Sequence, residues 1–252
     1  MPPAIPSCHF DEAFLSWFRE RTEAAWSKYP PVTLEQYPVS EIDHDWQEGT
    51  RWLHGLTEAE IVTLEKRWNI SFPPDYRLFL SRLHAPDRPQ AGIYRDDDKL
   101  LKLYSVPSFF NWQKDEAVLQ NRYDALWDWP GTETERKHLQ ELVQAAPKLL
   151  PINGNRYLLA EPCQEGNPVL SISHFDMIVY AANFRDYLIK ELLDVIDKEL
   201  YYRVHEMGGF EGTYDEAIAE LSGHYGVMPL KLENYFDIPF WGECLAVNAR
   251  ST

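Results

Sequence analysis

The stretch LTEAEIVTLEKRWNISFPPDYRLFL, residues 56–80, decides the fold because it encodes two short helices joined by a proline-bearing turn. Thr57 followed by Glu60 predicts a capping box, in which each side chain satisfies a backbone N–H at the helix start. Pro73 and Pro74 end one element and pre-set the backbone for the first turn of the next. The segment predicts a helical hairpin whose apolar faces are Ile61, Leu64 and Trp68, and then Tyr76, Phe79, Leu80 and Leu83.

The residues before this hairpin predict one helix and one irregular connector. From Asp11 to Trp26 the apolar residues recur at helical spacing, with charged residues on the opposite side. The following stretch, 29–55, is acidic and rich in proline, which indicates a connector without regular structure. No internal repeat is visible.

The residues after the hairpin predict more helices and then a sheet. Leu100 to Val106 alternates loosely, which indicates a strand, and two helices are expected over 111–127 and from Thr132 or Thr134 to Ala146. Asn153-Gly154 is a strong hairpin dipeptide because both positions tolerate positive φ. The strands expected around it and after it are Leu149–Ile152, Tyr157–Leu159, Pro168–Ile172 and Met177–Tyr180.

Asn183 is placed to cap a closing helix that carries Phe184 to Ile196. The order of elements predicts an α+β fold: a helical hairpin, an antiparallel meander and a closing helix. We divide the chain into an N-terminal extension over 1–55, a central domain over 56–199 and a C-terminal extension over 200–252. The C-terminal extension is expected to pack on the central domain, although a partner-binding patch is the alternative for its aromatic residues Tyr235, Phe236, Phe240 and Trp241.

The composition argues against several classes of partner. The chain has 252 residues with 24 basic and 40 acidic side chains, a net charge of −16. Binding to nucleic-acid phosphate or to an anionic membrane needs clustered Lys and Arg, so neither is expected. The acidity is spread along the chain, which fits either plain solubility or a surface that steers toward a basic protein.

The cysteines and the N-terminus suggest a soluble cytoplasmic protein. Cys8, Cys163 and Cys244 are odd in number and far apart, so neither a zinc ribbon nor a disulfide framework is indicated. The first residues lack the basic and apolar regions of a signal peptide. No apolar run approaches the roughly 20 residues that span a bilayer.

No catalytic, cofactor-binding or metal-binding residue can be assigned, and we expect no enzymatic activity. Cys8 and His9 are adjacent, but neighbours in sequence rarely form a nucleophile pair. His174 and Asp176 have no third metal ligand nearby, and Asp96-Asp97-Asp98 lacks the glycine and glutamate of a calcium loop. The glycines are never spaced as a phosphate loop or a dinucleotide fingerprint.

The hairpin resembles the opening of an SMI1/KNR4 (SUKH superfamily) domain. The family's usual opening is a helix with a Leu-Glu pair, a Leu-Pro-x-Asp/Glu-Tyr turn and a helix that ends in Phe-Leu. The matching residues here are Leu56-Thr-Glu-Ala-Glu-Ile61, Leu64-Glu65, Phe72-Pro-Pro-Asp-Tyr-Arg77, Phe79-Leu80, Leu150-Pro-Ile152, Gly154, Tyr157, Pro168-Val169 and Ala182-Asn-Phe-Arg-Asp-Tyr-Leu188.

The resemblance covers roughly residues 55–195 and has two departures. After its second helix the family often has an Asn-Gly-Gly turn, where this chain has His84-Ala-Pro-Asp-Arg88. The segment 107–147 is also longer than usual. Both differences fall where a binding surface could be retuned, so the identity of a partner does not carry over.

The resemblance implies a compact α+β domain that binds proteins and has no recognised catalytic residues. Bacterial members are typically immunity proteins that neutralise polymorphic toxins, and fungal members are linked to cell-wall synthesis and signalling. We therefore expect an immunity protein whose partner is a basic toxin such as a nuclease. The alternatives are a regulatory scaffold, and a small-molecule-binding protein or hydrolase.

The predicted partner-binding surface combines two acidic loops with tryptophans. For the tryptophans, packing in the core is the alternative and is at least as well supported. The sequence leaves open the partner, the binding face and the oligomeric state. The residues of this predicted surface are Asp96, Asp97, Asp98, Trp112, Asp124, Trp127, Asp128 and Trp129.

Overall fold

The computed structural model describes residues 9–35, 42–95, 101–126, 133–173, 176–207 and 215–248. Within these ranges the chain forms ten α-helices, one 3₁₀ helix and seven strands, an α+β architecture as predicted. The helices are α1 (Glu12–Trp26), α2 (Glu58–Trp68), α3 (Pro74–Arg82), α4 (Glu116–Ala125), α5 (Glu133–Ala145), α6 (Phe184–Glu191), α7 (Leu193–Ile196), α8 (Lys198–Glu206), α9 (Asp215–Tyr225) and α10 (Trp241–Asn248), and the 3₁₀ helix is Leu232–Tyr235. The strands are β1 (Ile42–Asp45), β2 (Gln90–Arg95), β3 (Leu101–Val106), β4 (Leu149–Asn153), β5 (Arg156–Leu159), β6 (Val169–Ser173) and β7 (Asp176–Ala181).

The helical hairpin of α2 and α3 forms as its sequence predicts. Glu60 Oε2 accepts the Thr57 N–H at 2.8 Å while Thr57 Oγ1 accepts the Glu60 N–H at 3.3 Å, so the capping box is present. Asn69 ends α2 in the left-handed region at φ 49°, which an Asn tolerates better than most residues. Pro74 is the first residue of α3, where its missing N–H costs no hydrogen bond.

The predicted meander is a four-stranded antiparallel sheet with the order β4-β5-β6-β7. Leu150 pairs with Leu158, and the turn between β4 and β5 places Gly154 at φ 49°. Each consecutive pair is antiparallel, so short turns suffice to connect the strands. The order of strands along the chain is therefore also their order in the sheet.

A second antiparallel sheet, β1-β2-β3, was only partly predicted. The strand expected over 100–106 is present as β3, but β2 and β1 were missed. β1 has four residues inside a proline-rich stretch, and Gly92 interrupts the alternation of β2, so neither carries a clear strand pattern. A small cluster of Val32, Ala91 and Ile93 packs beneath this sheet.

Several predicted boundaries also differ. The helix expected from Asn111 begins at Glu116, because Asn111 accepts hydrogen bonds that build a turn before it. The closing helix stops at Glu191 and resumes at Leu193, since Leu192 leaves the helical conformation. Helix α8 was not predicted.

The main core lies on one face of the four-stranded sheet. Helices α1, α2, α3 and α6 bury their apolar faces there, together with α8 and α9. Much of it is aromatic, and Trp26, Trp46, Trp52, Phe79, Phe109 and Phe184 contact one another in tilted and edge-to-face arrangements.

A second core lies on the opposite face of the same sheet. Leu126 after α4, Val143 of α5, and Trp241 and Leu245 of α10 cover this face. The Trp241 indole N–H donates to the carbonyl of Pro147 at 2.7 Å, so the residue is buried with its polar atom satisfied. The sheet is therefore covered on both faces.

Both chain extensions share in these cores. The Arg185 guanidinium at the start of α6 lies 5.1 Å from the ring of Phe14 in α1 and donates to the carbonyl of Tyr225 at 2.8 Å. Asp186 accepts the Met228 N–H at 2.9 Å. One buried Arg-Asp pair thus connects α1, α6 and the residues that directly follow α9. No helix of the described ranges is both long and apolar enough to cross a bilayer.

Two glycine substitutions should have opposite effects on stability. A Cβ at Gly55 would lie 1.9 Å from the Ser81 carbonyl oxygen, so Gly55→Ala should lower the free energy of unfolding by about 2–3 kcal/mol. Gly223 lies within α9 with open space around it, so Gly223→Ala should raise that free energy by about 0.5–1 kcal/mol. Urea denaturation of both variants checks this pair, and equal effects would show that the close approach at Gly55 relaxes at little cost.

Candidate protein-binding surface

The material that covers the second face of the four-stranded sheet presents an outward surface, which we call the outer layer. It consists of residues 115–126, 133–145 and 226–248, the segments that carry α4, α5 and α10. Tyr123, Leu126, Val143, Trp241 and Leu245 of these segments belong to the second core, whereas Leu119 and Val227 reach the main core. Other side chains of the layer, among them Asp124, Leu142 and Phe236, are exposed. The outer layer is therefore built from three separate segments of the chain that all contribute to the second core.

Large exposed apolar side chains are concentrated on the outer layer. Among the described residues, nine large apolar side chains are exposed, and five of them belong to these three segments. Single exposed apolar residues are ordinary, but several close together and rimmed by polar groups mark interaction sites. The five are Leu142 (43% exposed), Met228 (49%), Leu232 (40%), Phe236 (38%) and Val247 (62%).

The outer layer is also acidic. Its three segments contain nine Asp and Glu against four Lys and Arg. Glu116 pairs with Arg67 at 3.5 Å, but Glu233 and Asp237 are exposed and make no ion pair with any described residue. These two carboxylates flank Phe236 in the sequence, so apolar surface and uncompensated negative charge occur together.

The C-terminal part of the outer layer is held firmly. Trp241 and Leu245 anchor it in the second core, and the Gly242 N–H donates to the carbonyl of Ile238 at 2.7 Å. A Cβ at Gly242 would lie 2.1 Å from the carbonyl oxygen of Phe236, so the chain packs closely against itself here. Phe236 is consequently presented from a fixed backbone, and little ordering entropy would be lost when it contacts a partner.

A second group of functional interest is a buried polar network at the C-terminal end of α6. Asn153 donates to Glu191 at 2.7 Å, and the Arg156 Nε lies 3.7 Å from the other Glu191 oxygen. Lys190 donates to the carbonyl of Tyr180 at 2.6 Å. Burial raises the pKa of Glu191, and burial together with the nearby Arg156 charge lowers the pKa of Lys190 to about 8.

Perturbed pKa values of this kind mark either a reactive centre or a structural ion network. Here the charged groups hydrogen-bond to backbone oxygen and to neighbouring side chains, and Arg156 also lies 4.0 Å over the ring of Tyr180. These contacts fix α6 against β4, β5 and β7. We therefore interpret the network as part of the scaffold. Among the described residues no group of His, Cys, Asp or Glu side chains could hold a metal ion.

The family comparison fits this architecture. The family model described as the SMI1 / KNR4 family (SUKH-1) matches residues 55–190, more than half of the chain. The chain belongs to the SMI1/KNR4 family. Comparison with curated proteins and with solved structures gave no match. Helices α4 and α5 lie within the matched region of this SMI1/KNR4 chain, whereas residues 226–248 lie beyond it.

The chain departs from the SMI1/KNR4 pattern after α3, at His84. His84 takes φ 60°, the left-handed region that Asn or Gly adopts most readily. The ring is buried, and its Nε2 has no hydrogen-bond partner among the described residues. The His84 pKa falls to about 4, chiefly because burial disfavours the charged ring; the Glu60 charge opposes this shift and the Lys114 charge adds to it.

This buried histidine predicts a pH-dependent stability. Between pH 6.5 and about 4 the unfolded chain binds a proton at His84 that the folded chain does not, so stability should fall as the pH decreases through this range. The loss at His84 should be about 2–3 kcal/mol. Asp75 and Asp194, whose pKa values burial raises to about 6, act in the opposite direction.

The His84 contribution is isolated by comparing the chain with His84→Asn, which keeps a residue that tolerates positive φ. The variant retains both aspartates, so the difference between the two stability profiles reports His84 alone. Urea unfolding at the two ends of this pH range is the measurement. Parallel profiles would contradict a neutral buried imidazole.

The structure places only two of the predicted partner-binding residues. Asp124 is exposed near the end of α4 and accepts a hydrogen bond from Gln120 at 2.9 Å, so it belongs to the outer layer. The partner-binding role predicted for Trp112 is wrong. This residue is fully buried, and its indole N–H donates to the Tyr76 hydroxyl at 2.7 Å. It packs in the main core and does not face a partner. The other predicted positions, Asp96, Asp97, Asp98, Trp127, Asp128 and Trp129, lie outside the described residues.

Sequence reasoning missed most of the apolar part of the outer layer. Phe236 was among the aromatic residues noted in the C-terminal segment, but Met228, Leu232 and Val247 were not singled out. Nothing in the sequence separates Phe236, which is exposed, from Trp241, which is buried. Their different environments depend on which side of the segment meets the sheet.

Proposed function

We propose that this SMI1/KNR4 protein is an immunity-type protein that binds and blocks a basic toxin through its outer layer. The observation that carries the proposal is the coincidence of exposed apolar side chains with uncompensated acidic ones on that layer. Family membership supports a protein-binding role, since members are commonly toxin immunity proteins. In this chain the outer layer supplies the acidic and apolar side chains that would contact a basic protein.

The proposed mechanism combines electrostatic attraction of the partner with burial of exposed apolar side chains. A net charge of −16 attracts a basic protein and raises the rate of encounter, and Glu233 and Asp237 orient the approach. Phe236 and Leu232 then lose their contact with water against the partner, which supplies affinity. A toxin whose basic active-site groove is covered in this way can no longer reach its substrate.

Asp124 and the sequence that follows it belong to the same proposal. Asp124 lies two residues before Leu126, which is buried in the second core, so this exposed acidic residue is part of the outer layer. Trp127, Asp128 and Trp129 follow directly in the sequence and remain proposed contacts. Asp96, Asp97 and Asp98 also remain proposed contacts, on the connection between β2 and β3.

The test uses the reading frame that adjoins the gene of this chain. Its product is expressed alone and together with the chain in the same host. The expected result is growth arrest in the first case and restored growth in the second, with a complex of the two purified proteins seen by calorimetry. If the neighbouring product is harmless, or the chain fails to restore growth, the immunity role is wrong.

A regulatory scaffold, the other role associated with the family, would give a different result. Several cellular proteins would bind the outer layer stably and the neighbouring product would have no effect on growth. The same surface variants would then release those proteins instead of a toxin. The growth experiment therefore separates the two roles.

A further inference from the structure

The hairpin of β2 and β3 exposes a second surface, which is distinct from the outer layer. Gln90 pairs with Val106 and Arg95 with Leu101, so the two strands are in register over their full length. Strand β3 is the last strand of its sheet, and no described strand lies on its other side. In an antiparallel sheet every second residue of such an edge strand turns its N–H and C=O away from its neighbour.

This edge has few of the features that usually protect edge strands. It spans six residues without proline, and no bulge is recorded between β2 and β3. Leu103 is 51% exposed on one face of the hairpin, and Tyr94 is 45% exposed on the other. An exposed, regular edge with apolar side chains is a template for strand addition by another chain.

The charge of the β2-β3 hairpin indicates which kind of protein can pair with β3. Residues 90–106 contain three acidic and three basic residues, Asp96, Asp97, Asp98, Arg95, Lys99 and Lys102, so the hairpin is neutral although the whole chain carries −16. Two copies of this chain repel each other through most of their surfaces, and the hairpin is a place where that repulsion is absent.

The edge is also complementary to itself. Antiparallel pairing of two identical strands has twofold symmetry, which is the commonest arrangement in homodimers. Lys102 is the single charged residue within β3. When two copies pair around Leu103, each Lys102 lies opposite Tyr104 and away from the other Lys102, so no like charges oppose each other.

We propose that two copies of this chain associate by antiparallel pairing of their β3 strands. The two three-stranded sheets then become one six-stranded sheet, and Leu103 of each copy is covered. A six-residue strand pair is a small contact, so the dimer should dissociate in the micromolar range. The proposal does not depend on the toxin partner.

The test measures molar mass by sedimentation equilibrium across micromolar concentrations. The full chain should change from monomer to dimer with concentration. Leu103→Lys should remain a monomer because it places two positive charges together at the centre of the pairing. Leu142→Lys is the matched control, since Leu142 is 43% exposed on α5 and should leave the dimer intact.

A mixing experiment separates the proposal from simple misfolding of the variant. Leu103→Lys and Leu103→Asp should each be monomeric alone and should form a dimer when mixed, because their charges then oppose each other. Circular dichroism should show both variants folded. A monomeric full chain at all concentrations, a dimer that survives Leu103→Lys, or no association on mixing would each overturn the pairing of β3 strands.

Discussion

The substitution Asp186→Ala should lower the free energy of unfolding by about 3–5 kcal/mol. Asp186 and Arg185 are both buried, and the two side chains meet at 3.2 Å. Removing the carboxylate takes this negative charge away from the buried Arg185 guanidinium, whose desolvation it helps to offset. The Met228 N–H also loses its acceptor, so the start of the C-terminal segment is released as well.

Chemical denaturation measures the global loss, and amide exchange at Met228 reports the local release. Glu199→Ala is the control, because Glu199 is exposed on α8 and should change stability by less than about 0.5 kcal/mol. A loss below about 1 kcal/mol for Asp186→Ala would mean that Arg185 reaches water in the variant.

The substitution Phe236→Lys should weaken binding of the proposed toxin partner by about 2 kcal/mol or more, a factor of about 30. Phe236 is presented from a fixed backbone between Glu233 and Asp237, so the change removes an apolar anchor and reverses the local charge together. A basic partner should be sensitive to both effects. Calorimetry with the protein identified by growth rescue is the measurement.

Tyr202→Lys is the matched control for this prediction. Tyr202 is 51% exposed on α8, outside the outer layer, and its substitution adds the same charge. Equal weakening by both variants would show that net charge alone governs binding. If Phe236→Lys does not weaken binding, the outer layer is not part of the interface. The immunity role would then depend on another surface.

The local signals in the sequence predicted much of the central fold. The capping box at Thr57, the Asn183 cap and the turn at Gly154 each depend on a few neighbouring residues, so their geometry is encoded locally. The resemblance to the SMI1/KNR4 family rests on the same segments. Both kinds of evidence therefore describe the hairpin, the meander and the start of the closing helix.

Features that depend on distant contacts were harder to predict. β1 and β2 are strands because they pair with each other across 46 to 51 residues of sequence, while the strand propensity of each segment alone is weak. Trp112 was a candidate partner-binding residue with core packing as the alternative, and the contact that decides for the core is its indole hydrogen bond to Tyr76 in α3, 36 residues away in the sequence. The outer layer combines three separated segments, so its apolar and acidic character becomes visible only after folding.

The covering of the four-stranded sheet on both faces has a consequence for any shortened form of the molecule. A polypeptide that ends where the family match ends, at residue 190, would lack Trp241 and Leu245. Tyr157, Leu170 and Val179 would then lose part of their cover, since only Leu126 and the end of α5 would remain over that face of the sheet, and such a fragment should aggregate. The recognisable family region is thus smaller than the unit that can exist alone in water, and studies of binding should keep the chain through α10.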